Sequence, residues 1–282
     1  MAVDTIDDEW ALAGAALAED APSGDLTTQL TLAPGIRCTA ELVAKQAGIL
    51  AGMTVGRAVF EVAADARGRV AFDARMADGD ALSPGDILAV MNGPAATLLR
   101  AERPALNLLS HLSGVATLTR TFVDAAAPAT ILCTRKTTPG LRRFEREAVV
   151  AGGGTLHRAS LSDAVLIKDN HVRLAGGVAE AVGAARDRGS ASIEVEVEAL
   201  EQLDEAITAG ADRILLDNPT PELVRSAIDR TRDTFRLEVS GGVTLENVRS
   251  FVDAGARVIS VGRLTHSAPA LDLSMEISDV ER

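Results

Sequence analysis

Tyrosine is absent from this chain of 282 residues, tryptophan occurs once and phenylalanine six times. With aromatics at 2%, there are almost no rings on which bases could stack, so a single-strand nucleic-acid platform is excluded. The formal net charge of −12 argues equally against duplex binding, which rests on neutralising phosphates. Cysteine is limited to Cys38 and Cys133, far apart and in no metal or redox spacing, so no disulfide scaffold is expected. Apolar runs stay short of the roughly 18 residues that would suggest a membrane span. The opening MAVDTIDDEW is acidic where a secretory signal would be basic and then apolar. A cytoplasmic protein with neither nucleic-acid nor membrane partners is expected. Lysine is the last scarcity. Only Lys45, Lys136 and Lys168 are present, and two of them fall in one stretch.

What remains is the composition of a globular protein, 47% hydrophobic and 24% charged, long enough for two domains. Residues 7–18 read as a helix with acids in its first turn, and residues 22–28 as a turn-rich break. From Ile36 to Arg100 short extended runs alternate with Gly, Pro and Asp-Gly, the mark of strands and turns in a tight antiparallel sheet. Residues 95–127 carry leucines at helical spacing, with Pro104 expected to kink or restart the helix. His111, among those leucines, reads as an interior histidine with its bonds satisfied.

After Thr130 short apolar runs end in polar or glycine residues: ATILCTRK, AVLIKDN, IEVEVE, DRILLDN, RLEVSGG and RVISVGR. Amphipathic helical stretches separate them, which predicts parallel strands with helices outside. Six units of one rhythm favour a (β/α) barrel, where catalytic groups gather at the C-terminal ends of strands.

Those ends carry chemistry. The stretch 133–171 holds Arg135, Lys136, Arg142, Arg143, His157, Arg158, Lys168 and His171 around Gly152-Gly153-Gly154. Arginine matches carboxylates with two parallel bonds, so Arg135, His157, Arg158 and Lys168 suggest a pocket for a planar dianion. The glycine run is expected to let the backbone pass close to a ligand. Glu194, Glu196 and Glu198 alternate along a strand and so share one face, with Asp217 ending the next strand. Carboxylates facing a barrel mouth suit ion pairing or Mg²⁺ with substrate phosphate. Ser240-Gly241-Gly242 and Gly262 offer backbone N–H groups to a phosphate. Together these are the parts for joining a phosphorylated sugar to an acidic small molecule.

The runs ERPALNLLSHLSGVAT, TRKTTPGLR, GGGTLHR, LIKDNH, EVEVEALEQL, LLDN, SGG and ISVGRLTHSAPALD closely resemble quinolinate phosphoribosyltransferase, from roughly Gly24 to Asp272. The resemblance implies an α/β protein: an N-terminal open-faced α/β sandwich over 1–112, then an incomplete, seven-stranded α/β barrel over 113–267. The tail 268–282 is expected to pack on the first domain. It further implies a homodimer or hexamer of dimers acting on quinolinate and 5-phosphoribosyl 1-diphosphate to give nicotinate mononucleotide, diphosphate and CO₂. On this resemblance Lys136, Glu196 and Asp217 are catalytic, with Glu196 and Asp217 also facing Mg²⁺–diphosphate. Arg135, His157, Arg158 and Lys168 would hold the quinolinate carboxylates, Lys136 would touch both substrates, Thr134 would bind substrate, Arg103 would reach into a neighbouring subunit's site, and Ser240, Gly241, Gly242 and Gly262 would cradle the 5-phosphate. Three positions depart from the family pattern: Cys133 for Asp, Leu156 for Asn, and Arg263 for a small residue. They keep two alternatives in view: a different pyridine carboxylate as acceptor, or a paralogue that binds a phosphoribosyl ligand without catalysis.

Overall fold

The structure, a computed structural model, describes residues 5–64, 68–231, 233 and 236–281, the side chains of 5–8 excepted. Two compact units emerge: one takes in the chain up to Leu118 and the stretch from Ala268 onward, the other runs Thr119–Ser267.

The first unit contains helices α1 (Thr5–Asp20), α2 (Leu26–Thr31) and α3 (Met53–Ala63), and strands β1 (Arg37–Ala44), β2 (Gly48–Ile49), β3 (Ala71–Ala74), β4 (Ala81–Leu82) and β5 (Ile87–Pro94). Helix α4 (Ala95–Ala126) follows, its last turns belonging to the second unit. The final strand, β12 (Leu273–Glu281), returns to pair antiparallel with β1, giving a sheet in the order β12-β1-β5-β3. Burial alternates along the first half of β1, as expected where one face of a sheet meets a core. That core gathers Leu17 of α1, Leu42 of β1, Phe60 of α3, Met91 of β5 and Leu106 and Leu109 of α4.

Three local readings need correction. The segment 22–28 is not wholly turn, because Asp25 caps α2 by accepting the Thr28 N–H at 3.0 Å. Residues 53–63 form α3 rather than an extended run; Val55, Val59 and Ala63 recur at four-residue spacing and are all buried. Pro104 neither ends nor restarts α4, which is one helix of 32 residues. Leu98, Ala101, Ala105, Leu109 and Leu112 are buried along it, and at roughly 1.5–3 kcal/mol for each large apolar side chain that burial outweighs one missing hydrogen bond.

The second unit alternates strand and helix: β6 (Thr130–Leu132), α5 (Arg142–Ala151), β7 (Val165–Ile167), α6 (Asp169–Ala175), α7 (Val178–Asp187), β8 (Ile193–Val197), α8 (Leu200–Thr208), β9 (Arg213–Asp217), α9 (Pro221–Thr231), β10 (Leu237–Ser240), α10 (Val248–Asp253), β11 (Val258–Ser260) and α11 (Arg263–His266). All six strands are parallel, in the order β6-β11-β10-β9-β8-β7. They are the six units read from the sequence. The seventh strand implied by the resemblance is reduced to one bridging residue. Thr155 donates to Ile131 O at 2.8 Å and accepts from Cys133 N at 3.0 Å, beside β6. Beyond it the backbone cannot extend the ladder, because the Asp163 carboxylate takes the N–H groups of Ala159 (2.7 Å) and Ser160 (2.9 Å) into a local turn.

Candidate active site

Strand register determines which side chains share the barrel interior. Glu194 pairs with Arg213, Glu196 with Leu215, Glu238 with Leu215, and Ser240 with Asp217. Because side chains alternate, these residues stack in tiers on one face: Glu194 and Arg213 lowest, Glu196, Leu215 and Glu238 next, Asp217 and Ser240 at the C-terminal rim. A cavity of about 700 Å³ opens there, lined among others by Thr134, Arg135, Lys136, His157, Arg158, Lys168, Glu196, Asp217, Ser240, Gly241, Gly242 and Gly262.

Thus every expected site residue of the second unit lines one cavity. Arg103 does not; it lies on α4 in the first unit, its side chain 60% exposed and 3.9 Å from Glu102. Of the cations in the stretch 133–171, Arg142, Arg143 and His171 are structural. Arg142 donates to Thr137 Oγ1 at 2.9 Å, Arg143 pairs with Glu147, and His171 Nδ1 accepts the Lys168 N–H at the start of α6. The Gly152-Gly153-Gly154 run serves packing rather than ligand approach. A Cβ at Gly154 would lie 2.7 Å from side-chain carbons of Thr119 and Val149, and none of the three glycines lines the cavity. Glu198 falls beyond β8 and is exposed, so the sequence-based set of three inward carboxylates is two.

Three further groups were not singled out from the sequence. Glu238 is 1% exposed and lines the cavity; its place two residues before Ser240 puts it on the same strand face. His266 flanks Gly262 with Lys136: a Cβ on that glycine would lie 3.0 Å from Lys136 Cδ and 3.2 Å from His266 Nε2. Arg146, outside the cavity, donates to His157 O at 2.8 Å and to Arg158 O at 3.4 Å, and so fixes the segment that presents both side chains.

The cationic side of the cavity is short of anions. Burial first, and the Arg135 guanidinium next, pull the Arg158 pKa below its ordinary value. Arg135 Nε is buried with no hydrogen-bond partner among the described residues. Two neighbouring guanidinium groups with an idle buried donor are costly unless an anion completes them. Lys168 is placed differently, in an ion pair with Glu196.

Opposite lies the glycine turn. Gly241 has φ 83° and Gly242 φ 62°, and a Cβ at Gly241 would lie 2.8 Å from the backbone nitrogen of Asn218. Asn218 itself has φ 47°, donates its side chain to Asp217 at 2.8 Å and its backbone N–H to Ser240 O at 2.8 Å. The turn after β9 and the turn after β10 therefore hold each other, leaving N–H groups at the rim for an anion.

His157 occupies the cavity wall with its ring 16% exposed. Its Nε2 is 3.3 Å from Glu194 and 3.4 Å from Glu238, which raise its pKa from 6.5 to about 9, Glu194 contributing most. The Arg158 amide points at Nδ1 from 2.7 Å, a bond only the neutral ring can accept. With Nδ1 accepting from Arg158, the ring directs its Nε2 toward the two carboxylates, which favour its protonation there.

Two family models match this chain: the N-terminal domain of quinolinate phosphoribosyl transferase over residues 25–113, and its C-terminal domain over 115–276. The chain belongs to the quinolinate phosphoribosyltransferase family. A probable carboxylating nicotinate-nucleotide pyrophosphorylase of Bacillus subtilis is 45% identical over 264 residues, covering 92% of this chain and 90% of that one. The carboxylating nicotinate-nucleotide pyrophosphorylase of Mycobacterium leprae is 41% identical, covering 93% and 94%. Among solved structures, NadC from Streptococcus pyogenes superposes with a TM-score of 0.89 at 38% identity, covering all of both chains. The nicotinate-nucleotide pyrophosphorylase of Francisella tularensis gives 0.90 at 35%, covering 98% of each. The family resemblance read from the sequence is met.

Against the quinolinate phosphoribosyltransferase pattern, the three departures separate. Leu156 is 41% exposed and does not line the cavity. Cys133 is fully buried, with Arg146 3.8 Å from its sulfur. Only Arg263 changes the site, adding an exposed guanidinium beside Gly262 and His266.

Proposed function

We propose that this protein transfers the phosphoribosyl group of 5-phosphoribosyl 1-diphosphate to quinolinate and releases diphosphate and CO₂, forming nicotinate mononucleotide for NAD synthesis. One observation carries the reading: a cavity with an anion-deficient Arg135–Arg158 wall, a glycine cradle at Gly241, Gly242 and Gly262, and Glu196 and Asp217 at adjacent strand ends. That is a dicarboxylate site, a phosphate site and negative charge at the same rim.

The chemistry follows from the charges. As diphosphate departs, positive charge grows on the ribose C1, and Glu196 and Asp217 stabilise it electrostatically. Arg135, Arg158 and Thr134 hold the quinolinate carboxylates so that the ring nitrogen faces C1, and bond formation there makes a pyridinium. The pyridinium then accepts the electron pair left when the adjacent carboxylate leaves as CO₂, and a proton is taken up at that carbon. Lys136, beside Gly262 on the cavity lining, would touch both substrates. Lys168 can exchange its Glu196 partner for the acceptor's carboxylate. No covalent bond to the protein is required, and positioning supplies much of the acceleration.

Glu196 and Asp217 also fit Mg²⁺, which takes oxygen donors and commonly one or two carboxylates with substrate phosphate. Glu196 is committed to Lys168, so Asp217 is the freer donor. Bound there, the ion would neutralise charge on the departing diphosphate. Arg103, exposed on α4 and outside its own chain's cavity lining, fits a role in a second copy's site within a homodimer. Among the described residues no helix is long and apolar enough to cross a membrane, and both cysteines are free and buried. A cytoplasmic location accords with the unpaired thiols.

The test is an assay with quinolinate, phosphoribosyl diphosphate and Mg²⁺, following nicotinate mononucleotide. Turnover is expected. Binding of phosphoribosyl diphosphate without turnover of quinolinate would refute the acceptor assignment.

A further inference from the structure

The phosphate end of the cavity carries a cation that nothing in the fold uses. Arg263 follows Gly262 at the end of β11, is exposed, and lines the cavity. Among the described residues its guanidinium has no hydrogen bond and no ion pair. Other arginines of this unit are spent on the fold: Arg142 on Thr137 and Ala159 O, Arg146 on His157 O, Arg186 on Asp212 and Arg249 on Asp253. An exposed arginine in water needs no explanation by itself. The surroundings of Arg263 supply one.

Strand β11 lies beside β10, with Ile259 level with Val239, so the turn carrying Gly262 and Arg263 neighbours the turn carrying Gly241 and Gly242. The carboxyl of Glu246, in the segment that leaves the glycine turn, has its pKa lowered chiefly by the Thr244 hydroxyl, and the charge of Arg263 adds to the effect. The guanidinium is therefore within electrostatic reach of that segment. Gly262 itself can offer only backbone, because a Cβ there would lie 3.0 Å from Lys136 Cδ and 3.2 Å from His266 Nε2. Arg263 is the first side chain after the cradle that carries a full charge. The chain as a whole carries −12 and repels an anionic substrate, which a cation at the cavity rim offsets locally.

We propose that Arg263 is a specificity residue that holds the 5-phosphate of phosphoribosyl diphosphate from the open side of the glycine cradle, its planar fork set against two phosphate oxygens. The proposal rests on the phosphoribosyl reading above and deepens it. The resemblance leads one to expect a small residue at this position, so the contact is an addition of this chain to the shared cradle. Substrate, transition state and product all carry the same 5-phosphate. A contact to it binds all three alike, and its loss falls on KM rather than on kcat.

Arg263→Ala tests this, by calorimetric titration with ribose 5-phosphate and, separately, with inorganic diphosphate, and by steady-state kinetics. Ribose 5-phosphate should bind about tenfold more weakly, equivalent to about 1.4 kcal/mol, and the KM for phosphoribosyl diphosphate should rise by a similar factor. Diphosphate affinity and the quinolinate KM should stay within about twofold. Arg263→Lys should recover only part of the loss, because an ammonium keeps the charge without the fork. The gap between wild type and Arg263→Ala should narrow as salt is added, since the contact is exposed.

Equal affinity of wild type and Arg263→Ala for ribose 5-phosphate would overturn the proposal. A loss confined to diphosphate would overturn it too, by placing Arg263 at the leaving group. So would equal losses for ribose 5-phosphate, diphosphate and quinolinate, because the residue would then act through the general field of the cavity. Absence of quinolinate turnover in the wild type would refute the acceptor alone, and the ribose 5-phosphate titration would still decide the role of Arg263.

Discussion

Replacing Gly241 by alanine puts the phosphate cradle under a load that can be worked out. Gly241 has φ 83°, and forcing an L-residue there costs roughly 1–2 kcal/mol. The added Cβ would lie 2.5 Å from Asn218 Oδ1 and 2.8 Å from the Asn218 backbone nitrogen. The side chain can swing away, but the nitrogen is pinned by its 2.8 Å bond to Ser240 O. Overpacking of that kind adds about 1–3 kcal/mol, for a total of roughly 2–5 kcal/mol. If the fold absorbs the whole load, Tm should fall by about 4–20 °C, at roughly 2–4 °C per kcal/mol for a unit of this size. If the turn yields instead, Tm is kept and the cradle moves off the phosphate. The KM for phosphoribosyl diphosphate then rises tenfold or more, at about 1.4 kcal/mol per decade, with quinolinate affinity little changed. Gly242→Ala is the internal control. Its φ is 62° but its Cβ would meet only Asn218 Oδ1, at 3.5 Å, so it carries the conformational cost alone. Calorimetric melting and steady-state kinetics separate the two routes. A Gly241→Ala enzyme with both wild-type Tm and wild-type KM would refute the reasoning, as would a Gly242→Ala enzyme damaged equally.

Lys136→Ala should lower turnover by about 10²–10³, the usual loss of one electrostatic stabiliser, with an unchanged melting curve because the side chain is exposed. A normal rate would remove Lys136 from the mechanism. Arg103→Ala should be inactive alone, yet mixing it with Lys136→Ala subunits should restore some activity, since mixed dimers can contain one intact site. No rescue after demonstrated subunit exchange would place Arg103 elsewhere. Removing Mg²⁺ with a chelator should abolish turnover reversibly, and Asp217→Asn should raise the Mg²⁺ concentration needed for half activity; equal metal dependence would exclude Asp217 as a ligand. His157 has a folded pKa of about 9 against 6.5 unfolded, so its stabilisation is complete below pH 6.5 and is lost as pH rises through 9. Urea unfolding between about pH 6 and pH 9.5 should show a fall of at most about 3 kcal/mol that His157→Gln removes, and a slope surviving in that variant would belong to other groups.

The fold was legible where one signal dominated. Six strands of the second unit announced themselves because each is a short apolar run stopped by a polar or glycine residue, and periodicity needs nothing more. Residues 53–63 were misread because their small residues, Gly56 and Ala58 among them, blur the apolar stripe. The seventh strand was lost to a side chain. Nothing in the spacing says that Asp163 will take two backbone donors and turn the chain away after Thr155.

The site divided along a similar line. Lys136, Lys168, Asp217 and the glycine turns stand at strand ends, where a barrel places its chemistry whatever the details of packing. Glu238 and Arg213 stand inside strands, and an interior carboxylate looks in sequence like any wet strand face. Only the register, with Glu238 and Glu196 both level with Leu215, shows that the two acids share one enclosed tier. The same register explains why His157, alone among the cavity's cations, has two carboxylates beneath it, whereas Arg135 keeps an idle buried donor. Both walls keep unpartnered buried groups, Arg135 Nε on one side and both Glu238 oxygens and Glu194 Oε1 beneath His157 on the other. An acceptor with two carboxylates on a flat ring would supply an anion to Arg135 and Arg158, and a neutral pyridine would leave the Arg135 Nε donor unpaired. Selectivity for an anionic acceptor therefore follows from what is left unpaired, and it should survive Leu156→Asn, whose side chain lies outside the cavity, while failing in Arg135→Gln.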